Sequence, residues 1–258
     1  MVHGISVFLK GTCTLLQVMI MLIPVFALQS CEKILFSGEG QEVVKTESYE
    51  YFSKLTFYDI FDVELKTDSV YSVKLFTYEK YLHNISIQLD SAELVFSDFN
   101  FNRWLPDYPR PKVIIGFPQL DDQILTRSPI DLTSYDTLKL EKLDLIILGK
   151  TGNFDLTINI KRFKFVTGSD NFDFFHFRGR AGYAFIWPRG STQVDASQLA
   201  CDDCHVYNNS VGDCYVNVNH KIEARLNTAG NVIYSGNPEE IVIIEESGSG
   251  RLRPSGNK

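Results

Sequence analysis

Cys201-Asp202-Asp203-Cys204-His205 is the segment whose residue types and spacing could do the most chemistry. C-x-x-C-H is the spacing of covalent haem attachment, in which two thioethers hold the macrocycle and the histidine ligates the iron. The chain's three methionines, Met1, Met19 and Met21, all lie near its N-terminus. A second iron ligand in the body would therefore have to be His83, His176 or His220. Zinc is another possibility, since Cys201, Cys204, Cys214 and a histidine make a four-ligand set. The plainest possibility is a disulfide among the three cysteines, which leaves one thiol over. Cys201–Cys204 would close a tight loop of modest entropic effect, whereas Cys204–Cys214 would staple neighbouring segments. Cytochromes surround haem with apolar helices, which this region does not encode, and no cofactor is expected.

A second group is aromatic and basic. Asn102-Arg103-Trp104-Leu-Pro-Asp-Tyr108-Pro-Arg110-Pro is a proline-rich loop with two large aromatics and two arginines. Flat rings on exposed loops stack on sugars, and arginine pairs with acidic groups. Trp104, Tyr108, Arg103 and Arg110 are thus the candidate ligand-binding residues. Phe172-Asp-Phe174-Phe175-His-Phe177 and Tyr183-Ala-Phe185-Ile-Trp187 alternate and are expected in a buried core. Asp121, Asp122, Asp170, Asp173, Asp202 and Asp203 are scattered, without the partner groups that paired acid/base chemistry needs, and they read as solvated turns. Serine elbows, phosphate-cradling glycine loops and H-E-x-x-H do not occur in the sequence. No catalytic or metal site is expected.

These groups sit on a chain of 258 residues, 44 % hydrophobic, with a formal net charge of -7. Such a chain can bury a sizeable core and is not intrinsically disordered. Its acidity argues against a nucleic-acid partner or a broad face for anionic membranes. Residues 13–28, CTLLQVMIMLIPVFAL, are apolar but too short to span a bilayer, which needs about 20 residues. They read as the core of a secretory signal. Leu28-Gln29-Ser30-Cys31 follows and resembles a bacterial lipobox. The expected organisation is a signal over 1–30, lipid on Cys31, a tether over 31–42, a folded body over 43–253 and a tail over 254–258. Export to the outer membrane or cell surface, held by lipid, is the expected location.

The body alternates apolar and polar residues nearly everywhere. Phe61-Asp-Val63-Glu-Leu65, Tyr71-Ser-Val73-Lys-Leu75, Leu156-Thr-Ile158-Asn-Ile160 and Val216-Asn-Val218 have the period of half-buried strands. Asn209-Ser-Val-Gly212-Asp213 recurs as Asn227-Thr-Ala-Gly230-Asn231 and as Ser247-Gly-Ser-Gly250-Arg251, at nearly even spacing. Glycine there suits turns of positive φ. One glycine corner about every 20 residues is the pattern of a right-handed β-solenoid, and the body has room for roughly ten such coils. Ordinary hairpins compete with this reading over 43–125, where Pro106, Pro109, Pro111 and Pro118 interrupt the pattern.

Residues 195–251 resemble the head GIN domain family, found on bacterial surface lipoproteins. The resemblance rests on Asp195-Ala196 with Leu199, on the three glycine units, and on Asn231-Val-Ile-Tyr234-Ser-Gly236-Asn237-Pro238. It extends loosely to 43–253 through Tyr58–Val63 and Ile114–Leu120. It implies a secreted, membrane-tethered, all-β solenoid without catalytic residues, used for adhesion, scaffolding or ligand binding. The membrane is the implied partner, with envelope or host glycans or proteins beyond it. The alternative is a carbohydrate-binding or polysaccharide-active β-helix.

Overall fold

The computed structural model describes residues 40–149, 152–168 and 174–256. The expected signal, Cys31 and the tether up to residue 39 lie outside the described residues, as do Asp170 and Asp173. Residues 42–258 form one compact unit. Its strands are β1 (Glu42–Tyr49), β2 (Lys54–Phe57), β3 (Phe61–Thr67), β4 (Tyr71–Tyr78), β5 (Ile85–Asp90), β6 (Glu93–Asp98), β7 (Lys112–Phe117), β8 (Gln123–Thr126) and β9 (Ile130–Ser134). They continue with β10 (Leu138–Ile147), β11 (Phe154–Thr167), β12 (Phe174–Trp187), β13 (Arg189–Gly190), β14 (Gln193–Ser210), β15 (Cys214–Leu226), β16 (Val232–Gly236), β17 (Glu240–Glu246) and β18 (Leu252–Pro254). A single turn of helix, α1 (Glu79–Leu82), follows β4.

From β9 onward the chain winds as a β-solenoid of about six coils. Each coil has three faces, and the long strands β11, β12, β14 and β15 bend around the corners. Leu132, Phe154, Phe175, Val194, Cys214, Val232 and Leu252 stack on the first face, each one coil beyond the last. Leu140, Ile160, Ala181, Cys201 and Val218 stack on the second. Ile124, Leu145, Phe165, Ile186, Val206, Ala224 and Ile243 stack on the third. Parallel strands with period-two side chains set each inward position directly against its counterpart above and below. Core volume is therefore conserved along the axis by compensation: the fully buried Phe163 lies against Ala184 in the next coil, and Cys204 and Ile222 follow in the same column.

The six coils fall short of the ten expected because residues 42–122 build something else. β2 and β3 pair in parallel with β8 and β9 on one side and with β6 and β7 on the other, although β6 and β7 come later in the chain than β2 and β3. Antiparallel strands then cover this end: β4 lies on β7, β1 on β4, and β5 on β6. The opposite end is bare. β17 carries Ile241, Ile243 and Ile244, which are 41–51 % exposed, because among the described residues no coil stacks on its outer side.

The glycine corners are real, but for another reason than the one expected. Gly212, Gly230 and Gly250 do not have positive φ; Gly40, Gly179, Gly190 and Gly236 do. The corner glycines are stacked so closely that a Cβ on Gly230 would lie 2.1 Å from the Gly212 carbonyl oxygen. A ladder of buried polar side chains runs inside the same corner. Ser210 Oγ donates to the Thr192 carbonyl at 2.7 Å, and Asn208 Nδ2 donates to the carbonyls of Gly212 and Asn231 at 3.2 and 3.1 Å. These side chains tie the corner to its neighbours, and Asn208 adds a second hydrogen bond to the Asn231 carbonyl, which also accepts from the Cys214 amide.

Candidate functional site: an aromatic and arginine face

The cysteines of C-x-x-C-H face the core. Cys201, Cys204 and Cys214 are fully buried free thiols, so the expected disulfide is not formed. Cys201 ends the second face and Cys204 opens the third, so the corner between them turns both side chains inward. His205, one residue on, points outward. Its Nδ1 lies 3.1 Å from the Tyr183 hydroxyl, and its Nε2 contacts the Glu223 carboxylate. Sulfurs inside and imidazole outside cannot face one haem, and the same split parts the histidine from a zinc set. Among the described residues no cluster of three or more metal-ligating side chains occurs.

The neighbouring Cys201 side chain and then burial push the Cys204 thiol well above its ordinary range, and burial pushes Cys214 up. Both keep their protons in the fold, whereas an unfolded thiol ionises near about pH 8.5. Their contribution is therefore complete below that pH and is lost as pH climbs above it. Stability measured by urea unfolding should fall as pH is raised from 8 to 10. A thiol reagent at pH 8 should leave Cys204 and Cys214 unlabelled until denaturant is added; fast labelling of the native protein would contradict their burial.

The proline-rich loop divides its four candidates. Trp104 is 69 % exposed. Tyr108 is buried: its hydroxyl donates to Asp98 Oδ2 at 2.7 Å and its ring packs edge-on against Tyr81. It holds the loop together and has no free face. Arg103 is tied by Nε to Asp59 at 3.1 Å and by Nη1 to the Asn100 carbonyl at 3.0 Å. Arg110 pairs with Asp131 at 3.2 Å. The four therefore do not converge on one site.

The side chains that do converge are those of Tyr183-Ala-Phe185-Ile-Trp187, which the sequence pattern assigns to the core. Ala184 and Ile186 are the buried members, and the three aromatics face outward on the third face. The strand that follows adds His205 and Tyr207. Phe185 lies 5.1 Å from Tyr207 and 6.2 Å from Trp187, and Trp187 lies 6.3 Å from Tyr207, all nearly perpendicular. Arg189 caps the Trp187 ring at 3.9 Å and Arg225 the Tyr207 ring at 4.9 Å. Toward the N-terminal coils, Lys142, Asp144, Arg162, Lys164, Tyr183 and Phe185 line a hollow of about 340 Å³. Arg162 and Arg189 make no ion pair among the described residues, and Trp187 Nε1 and Arg189 Nε are sheltered donors without an acceptor. Aromatics and arginine with unused donors are the composition of a binding hot spot. The larger hollow of about 530 Å³ at the corner between the second and third faces carries no aromatic side chain, and two ion pairs lie across it: Lys161 with Glu141 at 2.7 Å, and Arg180 with Asp202 at 3.2 Å. Asp203 is occupied by His220 at 2.6 Å.

A sequence-family model described as "Putative auto-transporter adhesin, head GIN domain" matches residues 51–238. Comparison with curated proteins finds no match. Among solved structures, a "putative adhesin" from Bacteroides fragilis is 16 % identical, with a TM-score of 0.75 over 83 % of this chain and 97 % of that one. One from Parabacteroides distasonis is 15 % identical, with a TM-score of 0.60 over 84 % and 98 %. One from Parabacteroides merdae is also 15 % identical, with a TM-score of 0.54 over 85 % and 98 %. At these identities the structures establish a shared fold and leave ligand and residue roles open.

Proposed function

Since the chain belongs to the head GIN domain family, we propose that it is an exported, lipid-anchored, non-enzymatic protein of the bacterial envelope whose solenoid acts as an adhesive head. The observation that carries this reading is the outward aromatic and arginine face of Tyr183, Phe185, Trp187, His205 and Tyr207. A rigid parallel sheet fixes these groups in rows about 4.8 Å apart. Contact along several rows would hold a partner by many small contributions, and an anchor at Cys31 would raise their effective concentration at a surface. Carbohydrate binding on the same face is the second reading, favoured by the adjacent Trp187 and Tyr207 rings. The groups that meet there supply hydrogen bonds, stacking and charge. The Tyr183–His205–Glu223 chain ends in a phenol that burial holds in its protonated, weakly nucleophilic form.

Two substitutions test separate parts of the proposal. Cys31→Ala should move the protein from the membrane pellet to the soluble exported fraction; unchanged retention in the pellet would remove the lipid anchor from the reading. Trp187→Ala with Tyr207→Ala should lower adhesion of protein-bearing cells to glycan and matrix-protein arrays by about tenfold or more, as loss of a hot spot does. Adhesion unaffected by that pair would remove this face as the contact surface.

A further inference from the structure

Phe99, Phe101 and Trp104 are 66, 89 and 69 % exposed on a single short loop. Lone apolar side chains on a surface are ordinary, whereas three large aromatics so close together are not. Nor is the loop slack. Asn100, between the two phenylalanines, is 3 % exposed, and its Nδ2 donates to Asp98 Oδ1 at 2.7 Å and to the Tyr81 carbonyl at 3.1 Å. Its Oδ1 accepts from Asn84 Nδ2 at 3.1 Å. Turn hydrogen bonds from the Arg103, Leu105 and Tyr108 amides to the carbonyls of Asn100, Asn102 and Leu105 set the rest of the loop. With Asn100 pinned inward, the residues on either side of it must point outward. The fold holds these rings in water by construction.

The loop lies where the chain enters the solenoid. Glu42, the first residue of β1, is in register with Tyr78, the residue before α1. The Tyr81 carbonyl of α1 accepts from Asn100, and its hydroxyl lies 3.5 Å from Asn102 Nδ2. Only residues 32–41 separate Cys31 from Glu42, a contour of about 40 Å at most. A lipid on Cys31 would keep this end of the solenoid within that distance of a bilayer.

We infer that the Phe99–Trp104 loop docks on the lipid bilayer, its aromatic rings entering the interfacial layer. The inference rests on the anchored reading proposed above. The chemistry fits a bilayer better than a charged partner, because aromatic side chains favour the headgroup boundary, whereas Arg103 and Arg110 beside the loop are already paired with Asp59 and Asp131. A second contact also supplies what a single anchor does not, a fixed orientation of the solenoid on its membrane.

The chain has two tryptophans, Trp104 and Trp187, so Trp187→Phe leaves Trp104 as the sole reporter. The experiment uses the whole chain with Cys31→Ala, which no lipid holds, mixed with phosphatidylethanolamine–phosphatidylglycerol vesicles. Trp104 emission should shift to the blue and be quenched by brominated lipid. Phe99→Ser with Phe101→Ser should weaken co-sedimentation with vesicles by about tenfold or more, with no change in thermal midpoint because both side chains are exposed. Trp104→Ala should weaken it in the same direction. Four results would overturn the inference: an unmoved emission maximum, binding that survives the serine pair, binding that depends on anionic lipid alone, or a serine pair whose effect is to dissociate a dimer. Failure here with Cys31→Ala still releasing the native protein from membranes would leave the anchor standing without the loop. Vesicle binding with no labelled fatty acid incorporated at Cys31 of the native chain would leave the loop standing without the anchor.

Discussion

Replacing Phe165 with alanine should lower the thermal midpoint by roughly 6–20 °C, the equivalent of about 3–5 kcal/mol in a domain of this size. Phe165 is fully buried, and its ring lies 4.6 Å from Phe175 and 5.0 Å from Phe177 in the next coil. Its own column holds Leu145 on one side and Ile186 on the other. In a bundle, neighbouring helices can shift to shrink the hole left by a large side chain. Here the stacked strands are tied to one another by backbone hydrogen bonds above and below, so the void persists and its cavity cost is close to the full amount. Differential scanning calorimetry reads the shift directly. A change below about 2 °C would mean that the interior is loosely filled, contrary to a close-packed core. Trp104→Ala, at an exposed position, is the internal control and should leave the midpoint unchanged.

Gly230→Ala should cost about 3 kcal/mol or more, although it adds one methyl group. The new carbon would lie 2.1 Å from the Gly212 carbonyl oxygen, 2.5 Å from that of Ser210 and 2.9 Å from Asn208 Nδ2. Two of these three are backbone atoms of the preceding coil, which cannot rotate away as a side chain can. Relief requires the coils to part at that corner, and parting them breaks the bonds that cross it, from Asn208 to the Asn231 carbonyl and from Thr228 to the Ser210 carbonyl. The expected signature is a lower urea midpoint together with new protease cleavage around residues 209–213. Gly256→Ala, with nothing within 4 Å, should be neutral. Equal stability of the two variants would show that coil spacing is not set by glycine contact.

Much of this architecture is legible in the residue pattern, and the parts that are not share a cause. Period-two alternation states which residues share a side of a strand, and Gly212, Gly230 and Gly250 state where the chain turns; together they give strand, corner and coil length. Alternation does not say which side is inside. In Tyr183-Ala-Phe185-Ile-Trp187 the bulkier residues face out, because the interior at that level is already filled by Phe163 and Phe165 of the preceding coil and admits Ala184 and Ile186. Stacking across coils, which no local window contains, makes that choice. A corner position decides C-x-x-C-H in the same way, since one bend between Cys201 and Cys204 puts both sulfurs in the core and leaves His205 outside. The N-terminal end is less legible still. Parallel and antiparallel strands carry the same alternation, so nothing in Tyr71-Ser-Val73-Lys-Leu75 announces that β4 runs antiparallel to β7. Tyr108 reads as exposed because it sits in a proline-rich loop, whereas Asp98 and Asn100 give its hydroxyl a buried partner.

The strand order at that end has a consequence for how the protein must assemble as it emerges. In the six regular coils each turn finds its neighbour only one coil further along the chain, so those turns can zip together locally and fast. β2 cannot join them on the same terms. Its partners are β6, where Leu55 meets Leu94, and β8, where Leu55 meets Ile124, and both arrive well after a single coil's length of chain. The first strands of the chain must therefore wait, edges open, until both flanks exist. Both flanks exist once β8 has been made, before β10 to β18 follow, so the N-terminal end closes first and gives the later coils a finished sheet to wind on.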